Sequence, residues 1–147
     1  MATLTFPVQP DGLICDVLIG LDGKTPAALA AAGQAILAPS LCRGLIDTGA
    51  DITSVAPAVL RQLGLKIPVA KSKTRTTTGS APVDLFEVSV NVLDLRNLSG
   101  PKLILPTVMV MEVPAPLSNL DVLIGLDVLL TARLFLDGPG RAFTLDF

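Results

Sequence analysis

Short apolar runs separated by turn residues recur along the chain, and most alternate with a period of two. Leu13-Ile14-Cys15-Asp16-Val17-Leu18-Ile19 is β-branched and apolar and runs to Asp22-Gly23, which predicts a strand followed by a turn. Phe86, Val88, Val90 and Val92 alternate with Glu87, Ser89 and Asn91, the pattern of a strand with one buried face. That strand, 83–93, is the return arm of a predicted hairpin. Its first arm, 69–77, is Thr-rich with interspersed basic residues, and Thr78-Gly79-Ser80-Ala81-Pro82 is the turn. Residues 41–46, 103–113 and 121–125 read as further strands, and Pro106 pushes its strand toward a sheet edge or a bulge. Segments 135–136 and 142–147 close the chain as a hairpin around Asp137-Gly138-Pro139-Gly140.

Helical signals are few and short. Residues 26–33 have Pro26 in the first turn, Ala inside and Gly33 at the end. Residues 55–64 carry Val55, Val59 and Leu63 at helical spacing, with Ser54 as predicted N-cap, Pro57 in the first turn and Gly64 as the stop. Residues 128–133 form a third candidate. The expected class is all-β with two or three short helices, in one domain spanning 1–147. Asp-Val-Leu-Ile-Gly-Leu-Asp occurs twice, at 16–22 and 121–127, but the flanks differ. Two copies do not make a solenoid, and the repeat reads as coincidence, with the copies in different local structures.

Composition narrows the function classes. Half of the residues are hydrophobic and 16% charged, which is globular. The net charge of −2 argues against general affinity for nucleic acid or anionic lipid. The one basic cluster, Lys71-Ser72-Lys73-Thr74-Arg75, lacks interleaved aromatics and reads as a solvated strand or loop. No apolar run reaches the length of a membrane span, because Asp127 and Arg133 interrupt the longest. No cationic segment followed by a long apolar run opens the chain, so no secretory signal is expected. Cys15 and Cys42 read as buried free thiols of a reducing, cytoplasmic compartment, although a cross-strand redox pair is the alternative. With no histidine, Ser-His-Asp and Cys-His catalysis and most catalytic zinc sites are excluded. No phosphate-binding glycine loop is present. Acid–base chemistry falls first to Asp and Glu.

Leu45-Ile46-Asp47-Thr48-Gly49-Ala50-Asp51 sets one carboxylate directly after an apolar strand and directly before a tight turn. Backbone amides and a hydroxyl then flank it, which is how a carboxylate is prepared to activate water. The same residue could simply cap the following amides as an Asx-turn. The chain holds no second Asp-Thr-Gly or Asp-Ser-Gly, so chemistry needing two carboxylates would need a second copy of the chain.

The strand, the Asp47-Thr48-Gly49-Ala50 turn, the helix after it, the glycine-bearing hairpin, and Leu123-Ile124-Gly125 before a short helix together resemble the retropepsin-like aspartic proteases. The resemblance runs from about Leu13 to Phe147. It implies a closed-barrel fold equal to half of a pepsin, a homodimer, and an aspartic endopeptidase that cleaves peptides with no metal or organic cofactor. Asp47 would be the catalytic carboxylate. Thr48 would hydrogen-bond across the dimer axis, and Gly49 would present its carbonyl and admit substrate closely. Ala50, Asp51 and Gly79 would contact substrate, Gly79 from the covering flap, and Gly125 would pack beneath the catalytic turn. Asp51 also reads as a helix-start carboxylate, and Gly79 as an ordinary hairpin glycine.

Three departures stand out. Leu126-Asp127 follows Gly125 where retroviral members commonly carry Arg, so an ion pair from that position to Asp51 is absent or replaced. The flap has one glycine, and residues 24–40 are longer than the corresponding loop. Two other functions fit the same fold: a peptide-binding or dimerisation module without turnover, and a structural subunit of a larger assembly.

Overall fold

A computed structural model describes residues 1–114 and 117–147, with Thr76 by its backbone only. Strand accounts for 47% of residues and helix for 12%, so the all-β expectation holds. The strands are β1 (Thr3–Pro7), β2 (Ile14–Leu21), β3 (Ser40–Ile46), β4 (Ser54–Val55), β5 (Ala70–Thr76), β6 (Gly79–Leu93), β7 (Leu103–Glu112), β8 (Val122–Ile124), β9 (Arg133–Asp137) and β10 (Ala142–Asp146). The helices are α1 (Thr25–Ala31), α2 (Pro57–Gln62) and α3 (Leu126–Leu129).

The order β2-β3-β8-β4-β7-β6 closes on itself through a second pairing of β2 with β6, giving a six-stranded barrel. The two middle strands, β3 and β8, run parallel with Ile46 beside Ile124. Val17, Ile19, Val55, Val88, Val90, Val92, Val110, Val122 and Ile124 fill the barrel with no solvent exposure. Alternation places them there, since period-two β-branched residues send one row inward. Gly44 faces Val17 so closely that a Cβ would lie 2.7 Å from Val17 Cγ2, so glycine permits this packing. The long β6 also carries β5 as an arm beyond the barrel. A separate three-stranded sheet, β1-β10-β9, lays Leu4, Phe6, Phe143 and Leu145 onto the same core, and Phe6 stacks on Phe143 at 5.3 Å.

Several expected boundaries moved. Ser54 does not cap α2: it and Val55 are buried in β4, slotted between β8 and β7, and α2 begins at Pro57 with Ala56 as N-cap. Gly64 does end α2, at φ +73°, a backbone conformation that favours glycine. The turn of this hairpin is Thr77-Thr78, and Gly79 through Pro82 already pair with β5. The predicted 128–133 helix starts earlier, at Leu126, and Arg133 opens β9. β1 carried no sequence expectation. Pro106 does mark an irregularity, a register shift between β6 and β7, and its carbonyl accepts from Gly23 N. The two heptapeptide copies adopt different structures: one follows β2 and ends just past it at Asp22, the other spans β8 and the start of α3.

Cys15 and Cys42 are both free and buried, as expected. Burial pushes Cys15 up to about 12 and Cys42 up to about 11, so both stay protonated thiols at neutral pH.

Asp22 is buried and accepts from Lys24 N at 3.0 Å and Thr25 N at 2.6 Å. The Thr25 side chain chiefly, then these amides and Glu87, hold its pKa below the usual value against burial. A pKa lowered by folding stabilises above the unfolded value of about 3.9 and loses that contribution as pH falls through the folded value. Asp22→Ala removes the two amide hydrogen bonds to the carboxylate and should cost about 1 kcal/mol at pH 7. Urea unfolding should show the gap to wild type shrinking below about pH 4.

Candidate active site

The site forms where β3 and β8 end side by side. Asp47 is the first residue past β3, and its N–H donates to the Ile124 carbonyl at 2.9 Å. The chain then turns back, with Ala50 N donating to Asp47 O at 3.2 Å. Gly49 N donates to Asp47 Oδ1 at 3.0 Å, the expected Asx contact. The carboxylate is thus oriented by an amide of its own turn and is half-buried. Thr48 is exposed, and its hydroxyl has no hydrogen-bond partner among the described residues of the chain.

From the opposite side, α3 locks the turn. Helix N-termini present N–H groups that lack intrahelical partners. Here Leu126 N donates to Ala50 O at 2.8 Å and Asp127 N to Asp51 O at 3.2 Å. Gly125 lies directly beneath: a Cβ there would sit 2.8 Å from the Ile52 carbonyl carbon and 2.9 Å from Ala50 O.

Directly after Leu126, which stands where the resemblance led to an expected arginine, comes Asp127. Its carboxylate receives Thr53 N at 3.1 and 3.0 Å and Thr53 Oγ1 at 2.7 Å, and it caps Val128 N at 2.9 Å. Thr53 Oγ1 in turn accepts from Gly125 N at 3.0 Å. An acid–hydroxyl–amide chain therefore joins the segment after the turn to the start of α3. Sequence reading missed this pairing, because 74 residues separate its partners and nothing local marks it. Thr53→Val leaves Asp127 and Gly125 N short of a partner in a fully buried place and should cost about 2–3 kcal/mol in denaturant unfolding. Thr53→Ser, which keeps the hydroxyl, should recover most of that loss.

A cleft of about 770 Å³ opens over the turn. Asp47, Gly49, Ala50 and Asp51 line it, together with Ile52, Ser54, Val83, Leu85, Met111, Leu123 and residues 72–75 of the β5 arm. Of the residues singled out from sequence, four therefore converge on one surface. Thr48 and Gly125 do not line the cleft, and Gly79 starts β6 at the arm's tip, outside the walls that one chain builds. The apolar wall was not foreseen, since its members come from four separated segments. The cleft thus combines polar atoms at the floor, an apolar wall and the basic β5 arm.

A family model described as "gag-polyprotein putative aspartyl protease" matches residues 41–131. These run from β3 through the Asp47 turn to the end of α3. Among solved structures, a retropepsin-like aspartic protease from Rickettsia conorii is similar over 97% of this chain and 89% of that one, with TM-score 0.59 and 13% identity. The Simian Foamy Virus (mac) protease is similar over 76% of this chain and 86% of that one, with TM-score 0.42 and 18% identity. No curated protein matches in sequence. No helix among the described residues is long and apolar enough to cross a membrane. With the family model covering more than half of the chain and the six-stranded barrel matching in fold, this protein belongs to the retropepsin-like, gag-polyprotein-type aspartyl protease family.

Proposed function

We propose that this chain is an aspartic endopeptidase whose active site is shared between two copies, each supplying one Asp47. The observation that carries this reading is the Asp47 carboxylate in the cleft, oriented by Gly49 N in a turn that α3 braces. Among the described residues one carboxylate is held in this way, and its neighbour Thr48 reaches solvent with no hydrogen-bond partner for its hydroxyl among them.

Two like carboxylates a few ångströms apart resist double ionisation and share one proton, for which aspartic-protease dyads are the familiar example. The ionised member takes a proton from water as it attacks the peptide carbonyl. The protonated member donates to the carbonyl oxygen, and the tetrahedral species then collapses with proton transfer to the leaving nitrogen. In this reading Thr48 bonds across the axis, Gly49, Ala50 and Asp51 meet substrate backbone, and the β5–β6 arm with Gly79 near its tip folds over a bound peptide. Gly125 supports the turn from below. Residues 1–147 act as one domain, in the cytoplasm, on a peptide or protein substrate.

A shared site has a concentration signature. Hydrolysis of an apolar peptide per mole of chain should rise with protein concentration and level off where sedimentation reports full dimer. Constant activity per chain through the monomer range contradicts it. Dimers that bind peptide without cutting it indicate a binding module.

A further inference from the structure

Residues 72–75 of β5 line the cleft in unbroken succession. Successive side chains of a strand point to opposite faces, so four consecutive residues border one space only when the strand turns its edge toward it. β5 is the end strand of its sheet and, among the described residues, pairs with β6 alone, so the edge at the cleft is its unpaired one. Main-chain groups along such an edge accept a further strand.

The pairing register sorts the side chains of the arm by face. Ser72 stands opposite Val83 and Ala70 opposite Leu85, and both partners are buried members of the cleft wall. Lys71, Lys73 and Arg75 lie on the other face, opposite Asp84, Pro82 and Ser80. Lys71 has a carboxylate across from it, with Nζ 3.9 Å from Asp84 Oδ1. Lys73 and Arg75 are exposed, have no acidic residue opposite them on β6, and make no ion pair among the described residues. The arm therefore carries two unneutralised cations in line, two residues apart, beside the edge that a peptide can join.

Resting on the proteolytic reading of the cleft, we infer that the β5 arm selects substrates that contain an acid–apolar–acid segment. A peptide strand added to β5 shares its pleat, so alternate side chains fall on the same faces as those of the arm. Carboxylates at two alternate positions then stand across from Lys73 and Arg75, where opposite charges attract and a lysine is repelled. The residue between them points to the other face, the one that Val83 and Leu85 make apolar. Two adjacent acids would turn one carboxylate onto that apolar face, so spacing matters as well as charge. The position along the peptide is restricted too. Asp47 and Asp51 line the same cleft and repel further carboxylates, which leaves the arm as the place for acidic side chains.

Binding and cleavage are both read on the full chain. Asp47→Asn chains, which should hold a peptide without cutting it, are titrated with fluorescent extended peptides identical except in one segment: Glu-Leu-Glu, Gln-Leu-Gln, Lys-Leu-Lys or Glu-Glu-Leu. Glu-Leu-Glu should bind about three- to tenfold tighter than Gln-Leu-Gln, Lys-Leu-Lys should bind more weakly still, and Glu-Glu-Leu should lose most of the gain. Adding Lys73→Glu together with Arg75→Glu keeps the edge charged and should invert the order in favour of Lys-Leu-Lys. If that variant fails to fold, Lys73→Gln with Arg75→Gln should abolish the order. For wild-type chains, kcat/KM should rank the peptides in the same way. Equal binding of Glu-Leu-Glu and Gln-Leu-Gln overturns the inference, as does a preference that survives the loss of both cations or a chain that binds none of the peptides. If binding follows the charge of the arm but wild type cuts nothing, the selection stands and the proteolytic reading falls. If wild type cuts all four peptides equally well, proteolysis stands and the selection falls.

Discussion

Asp47→Asn should reduce peptide hydrolysis by about three orders of magnitude or more, with folding and self-association unchanged. The expectation separates two roles of one side chain. As a turn residue, Asp47 accepts from Gly49 N through Oδ1, and the asparagine carbonyl oxygen accepts the same bond in the same place. As a chemical group, the carboxylate must take a proton from water, and a neutral amide does not. Under a purely structural reading, the variant would be silent in every assay. Under the catalytic reading, only turnover is lost. Stability within about 0.5 kcal/mol of wild type is the control that makes the activity loss interpretable.

Gly125→Val should cost about 3 kcal/mol of stability, a fall in melting temperature of roughly 6–12 °C for a domain of this size. A Cβ at this position meets Ile52 C at 2.8 Å, Ala50 O at 2.9 Å and Ile52 O at 3.0 Å. All three are backbone atoms, so no side chain can swing aside to make room. The strands on both sides are fixed, β8 by its parallel pairing with β3 and residues 50–51 by hydrogen bonds to α3. Relief comes only by moving the cleft floor, so the surviving folded protein should also lose activity. Thermal unfolding together with peptide turnover checks both parts. A variant as stable and as active as wild type would mean that the turn is not braced from below.

Much of the barrel was legible because its strands declare themselves locally. In β6, Phe86, Val88, Val90 and Val92 alternate over one long stretch, and one face had to be buried. The Asp47 turn and Gly125 were legible for a different reason: apolar residues run straight into a turn residue at each site, marking two strands that stop together. The misreadings share a cause as well. Ser54 has the residue type of an N-cap, but β7 and β8 claim it as a strand, and such tertiary pairing is invisible in a local window. β1 alternates too, yet its partner is at the far end of the chain, with Thr3 opposite Asp146. The start of α3 shifted to Leu126 because its first amides are held by Ala50 and Asp51. Asp127 was noticed only as the residue after Leu126, which replaces the expected arginine, and its actual partner, Thr53, follows from geometry rather than spacing. Contacts between distant segments were the ones missed, whereas turns marked by local residue types were found.

A mixing experiment tests the shared site most directly. Wild-type chains are exchanged with an equal amount of Asp47→Asn chains, and peptide hydrolysis is compared with the same total of wild type. If each active site needs an Asp47 from both subunits, only wild-type pairs cleave, and about one quarter of the activity remains after random exchange. A remainder of about one half would mean that each chain carries a complete site of its own, contradicting the account.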